Sequence, residues 1–193
     1  MSREYDLRTL KTLSAIENSF MNLIEVKGFR NITINDIAGG AFINRSTFYL
    51  HYTDKYNLLD ALVDDGISKV IATISPKVHI QDGKLDYNLF SIDLSNSLKV
   101  IANQSKLYKF ILNDSESLGL RQKTEKVLVK KLSKGFPLKT TVARDLLIEI
   151  VSSIYVSVIT WWLNNDMKYS SQFMAAELVK FFELGSGSLL PSN

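Results

Sequence analysis

Residues 33–59 read TINDIAGGAFINRSTFYLHYTDKYNLL, and within them residues 43–52, INRSTFYLHY, open with small polar and basic side chains and then pack in four rings and a leucine. Thr33-Ile34-Asn35-Asp36 has the form of a capping box, with Asp in place of the usual Glu or Gln, and predicts a short helix over about residues 34–41. A break follows. Asn44 suits the N-cap of a helix over Arg45 to Tyr52, and Thr53-Asp54 caps a fourth helix that carries Leu58, Leu59, Leu62 and Val63. Two short helices separated by a tight turn therefore stand in front of a long one.

At about 100° per residue, a helix over 45–52 with Phe48 facing a core puts Tyr52 about 40° away and turns Ser46 and Leu50 outward, flanked by Thr47 and Tyr49. Phe48 and Tyr52, with Ile37 and Ile43, can close a small core. Arg45 sits at the helix start. Hydroxyls, one phenol and an Arg on the outward face suit a DNA major groove, which admits one helix and offers acceptors to Arg and a thymine methyl to Leu50. Thr47, Tyr49 and Lys55 would then meet phosphates, with Thr33 and Asn35 at the start of the preceding helix doing the same across the groove. His51 is expected to be packed or adjacent to a phosphate. On helix geometry alone, a capped surface helix with no DNA role explains the pattern about as well.

Outward from this stretch the chain reads as all-α. Only Pro76, Pro137 and Pro191 interrupt 193 residues, and apolar side chains recur at three- and four-residue spacing. Leu13, Ile16, Phe20, Leu23 and Ile24 make the stripe of a first helix over roughly 8–27 that Gly28 ends. Beyond residue 75, PKVHIQDGK is expected to be a polar loop with a solvated His79. Helices are then expected at about 86–102, 105–113, 116–134, 140–165 and 171–184. The fold class is thus a three-helix head joined by a fourth helix to a larger helical body, with a flexible tail at 186–193.

Composition narrows the function. With 46% hydrophobic and 22% charged residues the chain is globular, and a formal charge of +3 permits nucleic acid without demanding it. There is no cysteine, which excludes disulfides, thiolate metal sites and a Cys nucleophile. The only histidines, His51 and His79, form no metal-binding or catalytic constellation, so no catalytic residues, metal or cofactor are expected. The start MSREYDLRTLK lacks the apolar run of a secretory signal, which makes the cytoplasm the expected location. The most apolar window, Ile150 to Leu163, is shorter than the roughly 20 residues that cross a bilayer and is expected to be a buried helix rather than a membrane span.

The string from Thr33 to Leu59 resembles the helix-turn-helix of the TetR family of transcriptional regulators: Thr33, then Asp36-Ile37-Ala38, then Arg45-Ser46-Thr47-Phe48-Tyr49, then Lys55 and Leu58-Leu59, preceded by Gly28-Phe29. The resemblance implies a DNA-binding domain over 1–66 with its motif at about 33–52, and a ligand-binding and dimerisation domain over 67–185. It makes the helix from Arg45 the recognition helix, with Arg45 and Ser46 as base readers and Thr47, Tyr49 and Lys55 on the phosphate backbone. It also implies a homodimer, most often a repressor, with its heads in successive major grooves of a palindromic operator, roughly 34–36 Å apart.

The chain departs from the family where Phe42 stands in place of the turn glycine, and where Gly39-Gly40 fall inside a helix at about 1 kcal/mol each against Ala. Phe42 is expected to cover the core. Residues 159–182, ITWWLNNDMKYSSQFMAAELVKFF, resemble the last two helices of a Gram-positive subset, which would pair with their copies over about 140–184 in a four-helix interface. A small apolar effector is implied inside the body, with Tyr108, Phe110, Tyr155, Trp161 and Trp162 as candidate lining. The alternative is a helical adaptor of the same fold that works through protein partners, suggested by a nearly neutral head with seven Lys or Arg against six Asp or Glu in residues 1–56.

Overall fold

The structure, a computed structural model, describes residues 7–81, 84–116 and 118–185; the tail expected to be flexible lies outside them. The chain forms two compact units divided between Asp65 and Gly66. In the first, α1 (Leu7–Lys27) buries Ile16, Phe20 and Ile24 and stops at Gly28, whose φ of 72° needs a residue without Cβ. A 3-10 turn, Phe29–Asn31, follows and packs the Phe29 ring edge-on against Phe20.

Helix α2 (Ile34–Gly40) starts with the complete capping box: Thr33 Oγ1 accepts the Asp36 N–H and Asp36 Oδ2 accepts the Thr33 N–H at 2.9 Å. Helix α3 spans Arg45–Tyr49, shorter than the expected 45–52; Leu50, His51 and Tyr52 continue as overlapping turns whose N–H groups bond the carbonyls of Ser46, Thr47 and Phe48. Helix α4 (Lys55–Thr73) is started by Asp54, whose Oδ1 accepts the Asn57 N–H at 2.8 Å. Phe48, Ile37, Leu58 and Val63 are fully buried and form the centre of this unit.

The paired glycines of α2 do different things. A Cβ on Gly39 would meet nothing, whereas one on Gly40 would lie 2.4 Å from Ser19 Oγ, the hydroxyl that donates to the Ile37 carbonyl at 2.9 Å inside the α1–α2 contact. Gly40 is therefore needed for close approach, and Gly39 is only a helix weakener.

The second unit holds the rest of α4, then α5 (Pro76–His79), α6 (Tyr87–Asn103), α7 (Ser105–Asn113), α8 (Leu120–Gly135), α9 (Arg144–Asn164) and α10 (Ser171–Leu184). Helix α6 packs on α10, α8 on α9, and α7 on both α8 and α9. The segment expected to be a polar loop is instead the short α5, with Pro at its first position, and a two-stranded antiparallel hairpin, β1 (Ile80–Gln81) with β2 (Lys84–Leu85), closed where the Asp86 N–H bonds the His79 carbonyl at 2.7 Å. No alternation long enough to betray so short a hairpin exists in the sequence.

Two helices start later than the expected 116 and 140. Asp114, itself at φ 45°, takes the N–H groups of Leu118 and Gly119 on its carboxylate, and Gly119 is left-handed, so α8 begins at Leu120. The Arg144 guanidinium binds the carbonyls of Ser133, Phe136 and Pro137, which fixes the α8–α9 connection and the start of α9. At 21 residues, α9 is longer than its most apolar window suggested, and by length and composition it could cross a bilayer. Its Ile148, Val156, Ile159 and Trp162 are instead core residues packed with α7 and α8.

Replacing Gly39 by Ala should raise stability by about 1 kcal/mol, the propensity gain. Replacing Gly40 should yield no such gain, because the new methyl displaces the Ser19 hydroxyl from its buried acceptor. Urea unfolding of both variants, with Ser19→Ala added to Gly40→Ala to relieve the clash, checks the pair.

Candidate nucleic-acid interface and ligand cavity

Helix α3 is five residues long and cannot hold its shape unaided. It is fixed by Phe48, fully buried, whose ring meets Tyr49 edge-on at 5.7 Å and Tyr52 at 5.8 Å. The opposite face is left to solvent: Arg45 and Ser46 are exposed, as are Tyr49 at 46% and Leu50 at 81%. Thr47 and His51 lie half-buried at its edges. Arg45 folds along this face, donating from Nη2 to the Tyr49 hydroxyl at 3.0 Å with its guanidinium 5.4 Å from the ring centroid.

Asn44 holds the N-cap position of α3, yet its side chain makes no capping hydrogen bond. Sequence reasoning gave this residue to the cap alone. Its carboxamide stays exposed beside Arg45, and Asn is a residue type that reads adenine bidentately. Nothing in the sequence distinguishes a capping Asn from one that leaves the cap open.

On α2, Thr33 and Asn35 are exposed at the helix start. Asp36 beside them accepts from Lys27 Nζ at 2.6 Å. The Lys27 ammonium, then the Thr33 N–H and hydroxyl, hold the Asp36 carboxyl down to about 2 from its ordinary 3.8.

Lys55 is occupied in a way its sequence position does not reveal. Its ammonium donates to the carbonyls of Phe29, Arg30 and Ile32 at 3.0, 2.8 and 2.9 Å, a full set for three N–H bonds, and lies 4.9 Å from the Phe29 ring centroid. In this arrangement it ties the start of α4 to the turn after α1.

Phe42 corrects an expectation. It is 96% exposed and covers no core; the chain passes through the turn with Phe42 at φ 56°, the left-handed region in which a side chain costs about 1–2 kcal/mol. Ala41 and Ile43, on either side, supply the inward packing instead, and the Ile43 N–H closes the turn on the Ala38 carbonyl at 3.0 Å.

The second unit contains a cavity of about 650 Å³ whose wall is mostly aliphatic and aromatic. Of the five aromatic residues expected to line one, Tyr155 does. Tyr108 is buried beside a far smaller cavity of about 30 Å³, with its hydroxyl on the Gly66 carbonyl at 2.9 Å. Trp162 is core, its Nε1 bonded to the Tyr169 carbonyl; Trp161 is 44% exposed and stacks on Tyr169. Phe110 is half-buried and lines neither cavity.

The cavity's polar residues include His79, Asp93 and Ser97. His79, expected to be solvated, is buried, because α5 turns its ring inward against the edge of Phe90 at 5.3 Å. That burial pushes the imidazole below its usual range despite Asp93 nearby, and so favours the neutral form.

A helix-turn-helix head with a polar, Arg-bearing exposed face has the build of a DNA-binding module. Residues 21–62 match the model of bacterial regulatory proteins of the tetR family, and residues 94–184 match a transcriptional regulator C-terminal region. Together the two matches place the chain in the TetR family of DNA-binding transcriptional regulators.

It is 22% identical to YxbF of Bacillus subtilis (strain 168), an HTH-type transcriptional regulator, over 94% of this chain but 47% of that protein, so it spans about half the length of this relative. Among solved structures, a TetR-family regulator from Bordetella parapertussis matches 97% of this chain and all of its own at a TM-score of 0.69 and 15% identity. FadR of Bacillus subtilis, in complex with stearoyl-CoA, matches 87% of this chain and 96% of its own at 0.63 and 19%. At these identities the structural matches speak for the fold.

Phe42→Gly should stabilise the chain by about 1 kcal/mol in thermal unfolding, since it relieves the left-handed penalty and removes no packing. Asp36, with its folded pKa depressed, contributes stability that is fully present above about pH 4 and lost as pH falls towards 2. Asp36→Asn should therefore lower the melting temperature at pH 6 and flatten its acid dependence between pH 4 and 2.

Proposed function

We propose that the chain is a sequence-specific repressor that binds a palindromic operator as a homodimer and is released by a small, largely apolar effector held in the second unit. The reading is carried by α3: its buried Phe48 leaves Asn44, Arg45, Ser46, Tyr49 and Leu50 on one exposed face, a donor-rich surface with one apolar contact of the kind that reads major-groove edges. Thr33, Asn35, Thr47 and His51 flank that face and are assigned to the phosphate backbone. Lys55 joins them by its charge, at the start of a long helix whose dipole acts in the same sense. The domain that does this is 1–66, and the effector and dimer functions fall to 67–185. Acting on DNA, the protein works in the cytoplasm.

The homodimer reading rests on α9 and α10, which leave Leu146, Ile150, Phe173 and Phe181 exposed by 36–53%, more large apolar side chains than two such helices need show to water. The effector reading rests on the 650 Å³ cavity, within the range that holds a drug-sized molecule, and on FadR of similar fold having been captured with stearoyl-CoA.

Selection from random duplexes at low salt tests the function directly, with enrichment of an inverted repeat as the expected result and no enrichment as the result that sinks it. Arg45→Ala should relax preference at one position of each half-site, at about 1–3 kcal/mol, while leaving the salt slope nearly unchanged. Ile150→Asp with Phe173→Asp should convert a dimer to a monomer in sedimentation equilibrium.

A further inference from the structure

Some of the large cavity's polar groups are clustered, while Lys139, Thr140 and Thr141 come from the α8–α9 connection. Asp93 and Ser97 lie one turn apart on the same face of α6, with His79 beside the first and Tyr155 lining the same cavity. Asp93 Oδ2 accepts the Ser75 N–H at 2.8 Å, which leaves most of the carboxylate's accepting capacity unused. His79 Nδ1 lies 3.3 Å from that same oxygen, and the side chain is 7% exposed. The Tyr155 hydroxyl is buried next to Ser97, the polar side chain within its reach. Ser97 spends its own proton on the Leu94 carbonyl at 3.0 Å. The cationic side chain that lines the cavity, Lys139, is itself exposed and so belongs to the rim.

A carboxylate with unspent acceptors, set in an apolar wall, calls for a donor. Buried polar groups of this kind are unfavourable until paired. A second carboxylate brought against Asp93 would instead place like charges together in a medium that screens them poorly.

We infer that the cavity takes an apolar amphiphile whose polar end is a hydrogen-bond donor, a primary amine foremost, seated against Asp93 and His79, and that it turns away the same body ending in a carboxylate. The inference rests on the effector reading of this unit and goes further by naming the head group.

Calorimetric titration of the full chain with decylamine, decanol and decanoate, each below its micellar range, tests it. Decylamine should bind at least about tenfold more tightly than decanoate, the ratio expected of one charge-assisted hydrogen bond. Decanol should fall between them. The chain's net charge of +3 biases nonspecific attraction towards decanoate, so that ranking cannot come from bulk electrostatics. In Asp93→Asn, which keeps an acceptor for the Ser75 N–H, the amine's advantage should shrink to about threefold or less. If this variant does not fold, the ranking on the unaltered chain decides by itself. Decanoate binding as tightly as decylamine overturns the inference and leaves the effector reading intact; no binding by any of the three overturns both.

Discussion

The burial of one ring, Phe48, governs the DNA-facing half of the molecule. A helix of five residues has too few internal hydrogen bonds to persist, so its position is that of its anchor. With Phe48 fully buried, rotation of α3 about its axis would expose the ring or bury Arg45 and Ser46 without partners. The orientation of the exposed face is therefore set from the core side. The capping box of α2 and the Asp54 cap of α4 fix the flanking helix starts, and Lys55 binds the second of these to the turn after α1.

The sequence made the helices of the head legible because their signals are local. Thr33-Ile34-Asn35-Asp36 announces a cap through atoms three residues apart, and the placing of Phe48 inward with Leu50 outward follows from helix geometry alone. What it did not reveal depends on residues far apart in the chain. Gly40 is needed because Ser19 lies against it; Lys55 is occupied because three carbonyls of residues 29–32 converge on it. A cation at a helix start is compatible with either use, and only the fold chooses.

The same distinction separates the two views of the cavity. Aromatic residues at helical spacing drew attention to Tyr108, Phe110, Trp161 and Trp162, because rings can line a pocket as well as fill a core. The helix packing places Tyr108 and Trp162 in the core, where each also spends its polar atom on a backbone carbonyl. The side chains that give the cavity its chemistry came from a stretch that reads as loop. His79 is brought in by a four-residue helix and a hairpin of two-residue strands, elements too short to leave a period in the sequence. Asp93, on α6, gains its meaning only from what stands opposite it.

Phe42 has a use that follows from its being strained, exposed and unpacked at once. The chain contains no cysteine, so a thiol introduced at position 42 would be unique and fully accessible, with a backbone penalty comparable to that of the phenyl ring it replaces. A spectroscopic label there would sit two residues before the N-cap of α3 and disturb no core contact. It would let the approach of DNA to the head be followed directly, in a protein whose two tryptophans both lie in the other unit.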